Sequence, residues 1–198
     1  YMTDALHGDF GDSLKQRGRT VTSIIVTKLP VSARVGGVAV LVALLLGIPL
    51  GCIAAMHRGK FLDNLISVIS TCGIAVPSFV ICTVLMYFLG VHLKILPTYG
   101  LTSWKHYVMP VMALSFYPMA YIMRLMRSSM LDVLGQDYMR TCKAKGVSQA
   151  VSIFKHALRN AILPVITYVG PMLAYTLTGS FVVEKIFTIP GLGGELIG

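Results

Sequence analysis

The stretch VAVLVALLLGIPLGCIAA, residues 38–55, holds no charged side chain. A run of that length fits the hydrocarbon core of a bilayer, which is ~30 Å thick and takes about 20 helical residues to cross. In lipid the backbone amides must be bonded within the segment or in a closed barrel, and a barrel strand would alternate apolar and polar residues. This run does not alternate, so it predicts a helix. It forms the heart of a span over roughly 31–56, and three more runs read the same way, roughly 65–91, 107–126 and 161–183. Only 13% of the residues are charged, against about a quarter in soluble domains. The expected fold is an all-α membrane protein, a polytopic helical bundle. Residues 1–30 form an extracytoplasmic segment and 31–198 the transmembrane domain.

The spans carry helix-packing and helix-bending residues. Gly36, Gly37, Gly47 and Gly51 stud the first, with Gly47 and Gly51 at the four-residue spacing that lets backbones approach closely. Pro49, Pro77, Pro110, Pro118, Pro164 and Pro171 interrupt all four. Proline frees a carbonyl that must be satisfied within a bundle or beside water. Together they predict bent, closely packed helices, as transporters and channels have.

Several function classes find no support. The formal charge of +9 fits basic loops beside apolar spans, not nucleic-acid binding, because no basic–aromatic platform is visible. The four cysteines, Cys52, Cys72, Cys82 and Cys142, form no C-x-x-C pair and read as small packing residues. The five histidines have no ligand spacing, so no metal site is expected. No G-x-x-x-x-G-K-[ST] loop occurs, and no nucleophile–base pair lies inside the spans. The chain is read as a non-enzyme without a cofactor of its own. It begins at Tyr1 and ends in PGLGGELIG, which reads as a piece of a longer polypeptide.

Charge sets the orientation. The segment between the third and fourth spans holds Arg124, Arg127, Arg140, Lys143, Lys145, Lys155 and Arg159 against Asp132 and Asp137. The turn after the first span adds Arg58 and Lys60. By the positive-inside rule these two loops are cytoplasmic. Lys94 and Lys105 oppose them, as do Lys15, Arg17, Arg19 and Lys28 in the N-terminal segment, so the long loop over 127–160 carries the assignment. Thr20 to Leu29 is expected as a short amphipathic helix before Pro30. Within the long loop, Asp137 starts a helix over Tyr138–Lys145, Gly146 stops it where positive φ costs little, and Ser148 caps the next helix. Val151, Phe154, Leu158 and Ile162 form the apolar stripe of that helix. Such a surface helix can push on a soluble partner or rest its basic face on anionic lipid, and spacing alone does not separate the two.

The residues of this loop add a resemblance. Tyr138-Met-Arg-Thr-Cys-Lys-Ala-Lys-Gly146, with His156-Ala-Leu-Arg-Asn160 and Leu163-Pro164, resembles the cytoplasmic-loop signature of the dipeptide/oligopeptide permeases. These are membrane subunits of bacterial ATP-driven (ABC) importers that depend on a binding protein. Gly8-Asp-Phe-Gly-Asp-Ser13 with Leu29-Pro-Val-Ser-Ala33, Ile74-Ala-Val-Pro-Ser-Phe79, and Glu184-Lys-Ile-Phe-Thr-Ile-Pro-Gly-Leu-Gly193 resemble the same family in order and spacing. The loop version is closest to the first of the two paired permeases. It departs from the wider importer pattern, which has Glu-Ala-Ala where this chain has Arg140-Thr141-Cys142.

The resemblance implies six spans in the whole protein, four of them here, in the bacterial cytoplasmic (inner) membrane. It implies that Asp137, Tyr138, Arg140, Thr141, Lys143, Ala144, Lys145 and Gly146 form a coupling element against an ATPase subunit. It also implies a second permease subunit, two ATP-binding subunits that hold and hydrolyse ATP, an extracytoplasmic substrate-binding protein and a peptide substrate. Pro77, Ser78 and Phe79 are the expected lining of the path. The same motifs occur in dipeptide, oligopeptide and nickel–chelate importers. A channel or secondary carrier without ATPase partners is the alternative. It would need an acidic or carbonyl-rich filter, or an ionisable group at mid-membrane, and the spans are nearly free of such groups.

Overall fold

The structure is a computed structural model, and it describes residues 10–13 and 18–194, leaving aside the side chains of Thr178 and Gly179. Gly8, Asp9, Lys15 and Arg17 of the N-terminal segment lie outside the described residues. Helix follows helix, and the only β-type pairing among the described residues is an isolated bridge between Asp12 and Thr20. The all-α fold read from the apolar runs is what the structure shows.

Helix α1 covers Val21–Met56. Its N-cap is Thr20, whose hydroxyl accepts from Ser23 N at 3.3 Å. The separate helix expected before Pro30 does not form, because the chain stays helical straight through Pro30 and Pro49. At 1.5 Å per residue the 36 residues reach about 54 Å, well beyond the hydrocarbon thickness. Pro30 falls in the excess length, where water can satisfy the carbonyl it frees.

The second run is not one rod. Helix α2 (Phe61–Ala75) and helix α3 (Ser78–Leu85, continued by a π-helical stretch Met86–His92) meet at a bend of 105°. Val76 is extended (ψ 123°) because the following proline ring disfavours helical backbone there. Helix α4 spans Lys105–Leu134, so Arg124 and Arg127 belong to this helix and not to the loop. Helix α5 (Asp137–Ala144) lies in the basic segment. Helix α6 is assembled from Gln149–Val151, a π-helical Ser152–Ala157 and Leu158–Ala161. Helix α7 runs over Leu163–Ile186. Three helices, α1, α4 and α7, are long and apolar enough to cross a membrane, and the bent pair α2–α3 makes a fourth if counted as one span.

The α1–α4 pair is the largest interface in the fold. It closes because Gly47 and Gly51 have no side chains. A Cβ on Gly47 would sit 2.9 Å from Ile122 Cγ2, and one on Gly51 would sit 2.7 Å from Met126 Cβ and 2.8 Å from the Met123 carbonyl. On α6 the buried residues are Ser152, Ile153, Ala157 and Ala161; Leu158 and Ile162 of the expected stripe are partly buried and pack against the core, whereas Val151 and Phe154 are 45% and 70% exposed. Lipid is as apolar as leucine, so hydrophobicity alone does not mark the packed face, and small residues such as Ala157 and Ala161 fall on it beside Ile153.

The far end of the bundle is tied by a buried polar knot. Glu184 is fully buried and its Oε2 accepts from Gly193 N at 2.8 Å. Ser32 Oγ of α1 accepts from Leu192 N at 2.9 Å, so the turn after α7 is held against α1. Oε1 of Glu184 has no hydrogen-bond partner among the described residues.

Gly51→Ala is expected to destabilise the bundle by about 1–3 kcal/mol, since both crowding atoms belong to the α4 backbone or its first side-chain carbon. Thermal unfolding of the detergent-solubilised protein, compared with Gly37→Ala where a Cβ meets nothing within 4 Å, measures it.

Candidate functional site: the α5–turn–α6 segment

Helix α5 buries one residue, Met139, and exposes most of the others. Met139 is 8% exposed and joins a cluster with Ala55, Met130, Ile153, Ala157 and Met172 that continues into the spans. Asp137, Tyr138, Arg140, Thr141, Lys143, Ala144 and Lys145 are all exposed, and Cys142 is half-buried. Eight residues make little more than two turns, and a buried side chain at 139 leaves the opposite face outward. Thr141 Oγ1 donates back to the Asp137 carbonyl at 3.1 Å. The Arg140–Asp137 pair, 3.9 Å apart with both side chains more than 80% exposed, adds little to stability.

The turn out of α5 matches the expectation. Gly146 has φ +73°, in the left-handed region that favours glycine. Its N–H bonds the Lys143 carbonyl at 3.1 Å, and Val147 N bonds the Cys142 carbonyl at 3.1 Å. Ser148 Oγ then accepts from Val151 N at 3.5 Å and starts α6. A second tie crosses the turn, where Asn160 Nδ2 donates to the Tyr138 hydroxyl at 2.9 Å. Between α5, α6 and the end of α1 lies an open groove of about 640 Å³, with Met139, Arg140, Lys143, Ile153 and Met56 among its walls.

One ion pair braces the platform beneath. Asp63, in the first turn of α2, is 2% exposed and receives both Arg127 Nε at 2.5 Å and Nη2 at 2.8 Å. Its Oδ2 also accepts from Gly59 N at 2.9 Å, which fixes the turn between α1 and α2. The Arg127 hydrogen bonds outweigh burial and hold the Asp63 carboxyl well below its ordinary range, at about 2. This pair went unread in the sequence, where Arg127 was counted as loop charge. The retrievable signal was Asp63, an acid at the edge of an apolar run that needs a cation to be buried.

The α5–turn–α6 arrangement is the point at which comparison with known proteins decides the class. Residues 47–198 match the family described as binding-protein-dependent transport system inner membrane component. The chain belongs to that family. It is 47% identical over 98% of its length to the dipeptide transport system permease protein of Bacillus subtilis, covering 63% of that protein. It is 40% identical to the oligopeptide transport system permease protein of Haemophilus influenzae, over 98% of this chain and 64% of that one. It is also 40% identical to the glutathione transport system permease protein of Salmonella typhimurium, over 100% of this chain and 64% of that one. The chain therefore spans a little under two thirds of the length of these relatives.

The other predicted site residues lie elsewhere in the chain. Pro77, Ser78 and Phe79 sit at the α2–α3 bend, Pro77 and Phe79 exposed and Ser78 half-buried. The structure does not bring them near α5. Among the described residues no cluster of metal-ligating side chains occurs.

Asp63→Asn is expected to cost about 2–3 kcal/mol near neutral pH, less than a fully buried pair because the Arg127 side chain is 31% exposed. A depressed carboxyl pKa stabilises the fold above its unfolded value of about 3.9 and loses that contribution as pH falls toward the folded value. The stability gap between wild type and Asp63→Asn should thus hold steady down to about pH 4 and close between about pH 4 and 2. Unfolding scans of the solubilised protein across that range check it.

Proposed function

We propose that the chain is one half of the membrane-spanning pair of an ATP-driven peptide importer in the bacterial inner membrane, and that α5 is its coupling helix. The observation that carries this is the mounting of α5: Met139 is keyed into the same cluster as the spans while its outer face is free. A load on Tyr138, Arg140, Thr141, Lys143, Ala144 or Lys145 is passed to α4 and α6 through packed side chains. Family membership and relatives named for dipeptide, oligopeptide and glutathione transport support the peptide class.

In this reading an external binding protein delivers a peptide to the outer face. Two ATP-binding subunits close on ATP and move the coupling helices of this chain and of a second, homologous permease. ATP shifts the inward–outward equilibrium only by favouring one state over the other. The chain supplies the lever and half of the path. It has no phosphate-binding loop of its own, so ATP is bound and hydrolysed in the partner subunits.

Gly146→Val tests the lever. A Cβ there would meet no atom within 4 Å, so the penalty is conformational alone, a β-branched residue at φ +73°. The full-length variant, co-expressed with its partner subunits, is expected to reach the membrane in normal amount. ATP-dependent dipeptide uptake should fall about tenfold or more, in line with a misplaced turn costing 1–3 kcal/mol. Unchanged uptake would count against the lever.

A further inference from the structure

Four tyrosines meet between α4 and α7, near the middle of α4 and over the first half of α7. Tyr117 and Tyr175 have ring centroids 4.8 Å apart, and Tyr121 and Tyr168 have theirs 4.3 Å apart. All four are half-buried or more exposed, with Tyr175 at 48%. None of their hydroxyls hydrogen-bonds to another described residue, in contrast to Tyr138, whose hydroxyl accepts from Asn160. The pairs stack along the antiparallel helices as a two-rung ladder, with Tyr117 and Tyr121 one turn apart on α4 and Tyr168 and Tyr175 two turns apart on α7.

Unpaired phenols toward the middle of a span are poor neighbours for lipid. A phenol without a partner in hydrocarbon is costly, and tyrosine facing lipid collects at the interfaces, not at mid-span. The same helix shows what its lipid side looks like. Ile166, Leu173 and Leu177 are exposed, and helical spacing puts them across α7 from Tyr168 and Tyr175. On α4 the tyrosine face continues one turn on to Arg124, which bonds Thr71 Oγ1 of α2 at 2.9 Å. A polar lane thus runs from mid-membrane toward the coupling end of the molecule.

We infer that Tyr117, Tyr121, Tyr168 and Tyr175 line the translocation path and bind the backbone of a passing peptide. Each phenol donates to a peptide carbonyl or accepts from a peptide N–H. The ring faces accept side chains of any apolar shape, and no fixed charge selects among them. This chemistry suits a substrate class with a constant backbone and variable side chains. The inference rests on the import reading and adds to it the residues that touch substrate.

The test uses the full-length permease assembled with its partner subunits in membrane vesicles. In a background without Cys52, Cys72, Cys82 and Cys142, single Tyr121→Cys and Tyr175→Cys variants are treated with a charged methanethiosulfonate. Leu173→Cys is the lipid-side control. Both tyrosine positions should react about tenfold or more faster than the control, and millimolar dialanine should slow them. Reaction as slow as at Leu173, or indifference to dialanine, would overturn the inference. A second readout is Tyr121→Phe with Tyr168→Phe, which keeps the rings and removes the hydroxyls. Dialanine uptake should fall about tenfold, the expected effect of two lost hydrogen bonds, with ATPase activity retained. Uptake at the wild-type rate, or loss of the second permease from the complex, would contradict a path role. Dialanine protection of the cysteines without ATP-driven uptake by wild type would remove the import reading and leave the binding lane standing.

Discussion

The contact of α1 with α4 at Gly47 and Gly51 is the constraint on which the rest of the structure depends. Two backbones are held so close that a single methyl group would collide. Lipid gives no hydrophobic reward for bringing helices together, so the energy comes from dense packing. Once α4 is fixed on α1, its other faces are assigned. One receives α2, clamped by Asp63 and Arg127. Another receives α7, with the tyrosine ladder at its open edge. Its end carries Met130, which reaches Met139 of α5 through a shared cluster.

The material of that core is rich in methionine. Met109, Met123, Met126, Met130, Met139 and Met172 are all buried. Unbranched thioether side chains refill irregular gaps at small cost, so helices can shift against one another without leaving cavities. The polar ties sit at the two ends, Asp63–Arg127 at one and Glu184 with Ser32 at the other, where they hold the ends in register.

Much of this was legible in the sequence, and the illegible parts share one cause. Apolar runs announced helices because lipid forbids most alternatives, and Gly47-x-x-x-Gly51 announced the close crossing. The helix–turn–helix over 137–151 was readable to within a residue, because Asp137, Gly146 and Ser148 act through local backbone chemistry. What failed needed knowledge of which face meets what. Of the stripe Val151, Phe154, Leu158 and Ile162, the last two pack against the core beside Ala157 and Ala161, but Val151 and Phe154 are exposed, since hydrophobicity does not distinguish lipid from protein. The break at Val76–Pro77 was hidden inside one continuous apolar run. Asp63, Glu184 and the four tyrosines were missed because their partners are distant in sequence, and only the fold brings them together.

The central claim is that α5 is seated on an ATP-binding partner. A crosslink from Cys142 in native membranes, with Cys52, Cys72 and Cys82 replaced, tests it most directly. Cys142 is half-buried on α5, between the exposed Thr141 and Lys143. The account predicts an adduct to the ATP-binding subunit whose yield changes with nucleotide. A thiol that reacts freely with small reagents but captures no such subunit, at 142 and across neighbouring positions 138–147, would contradict it.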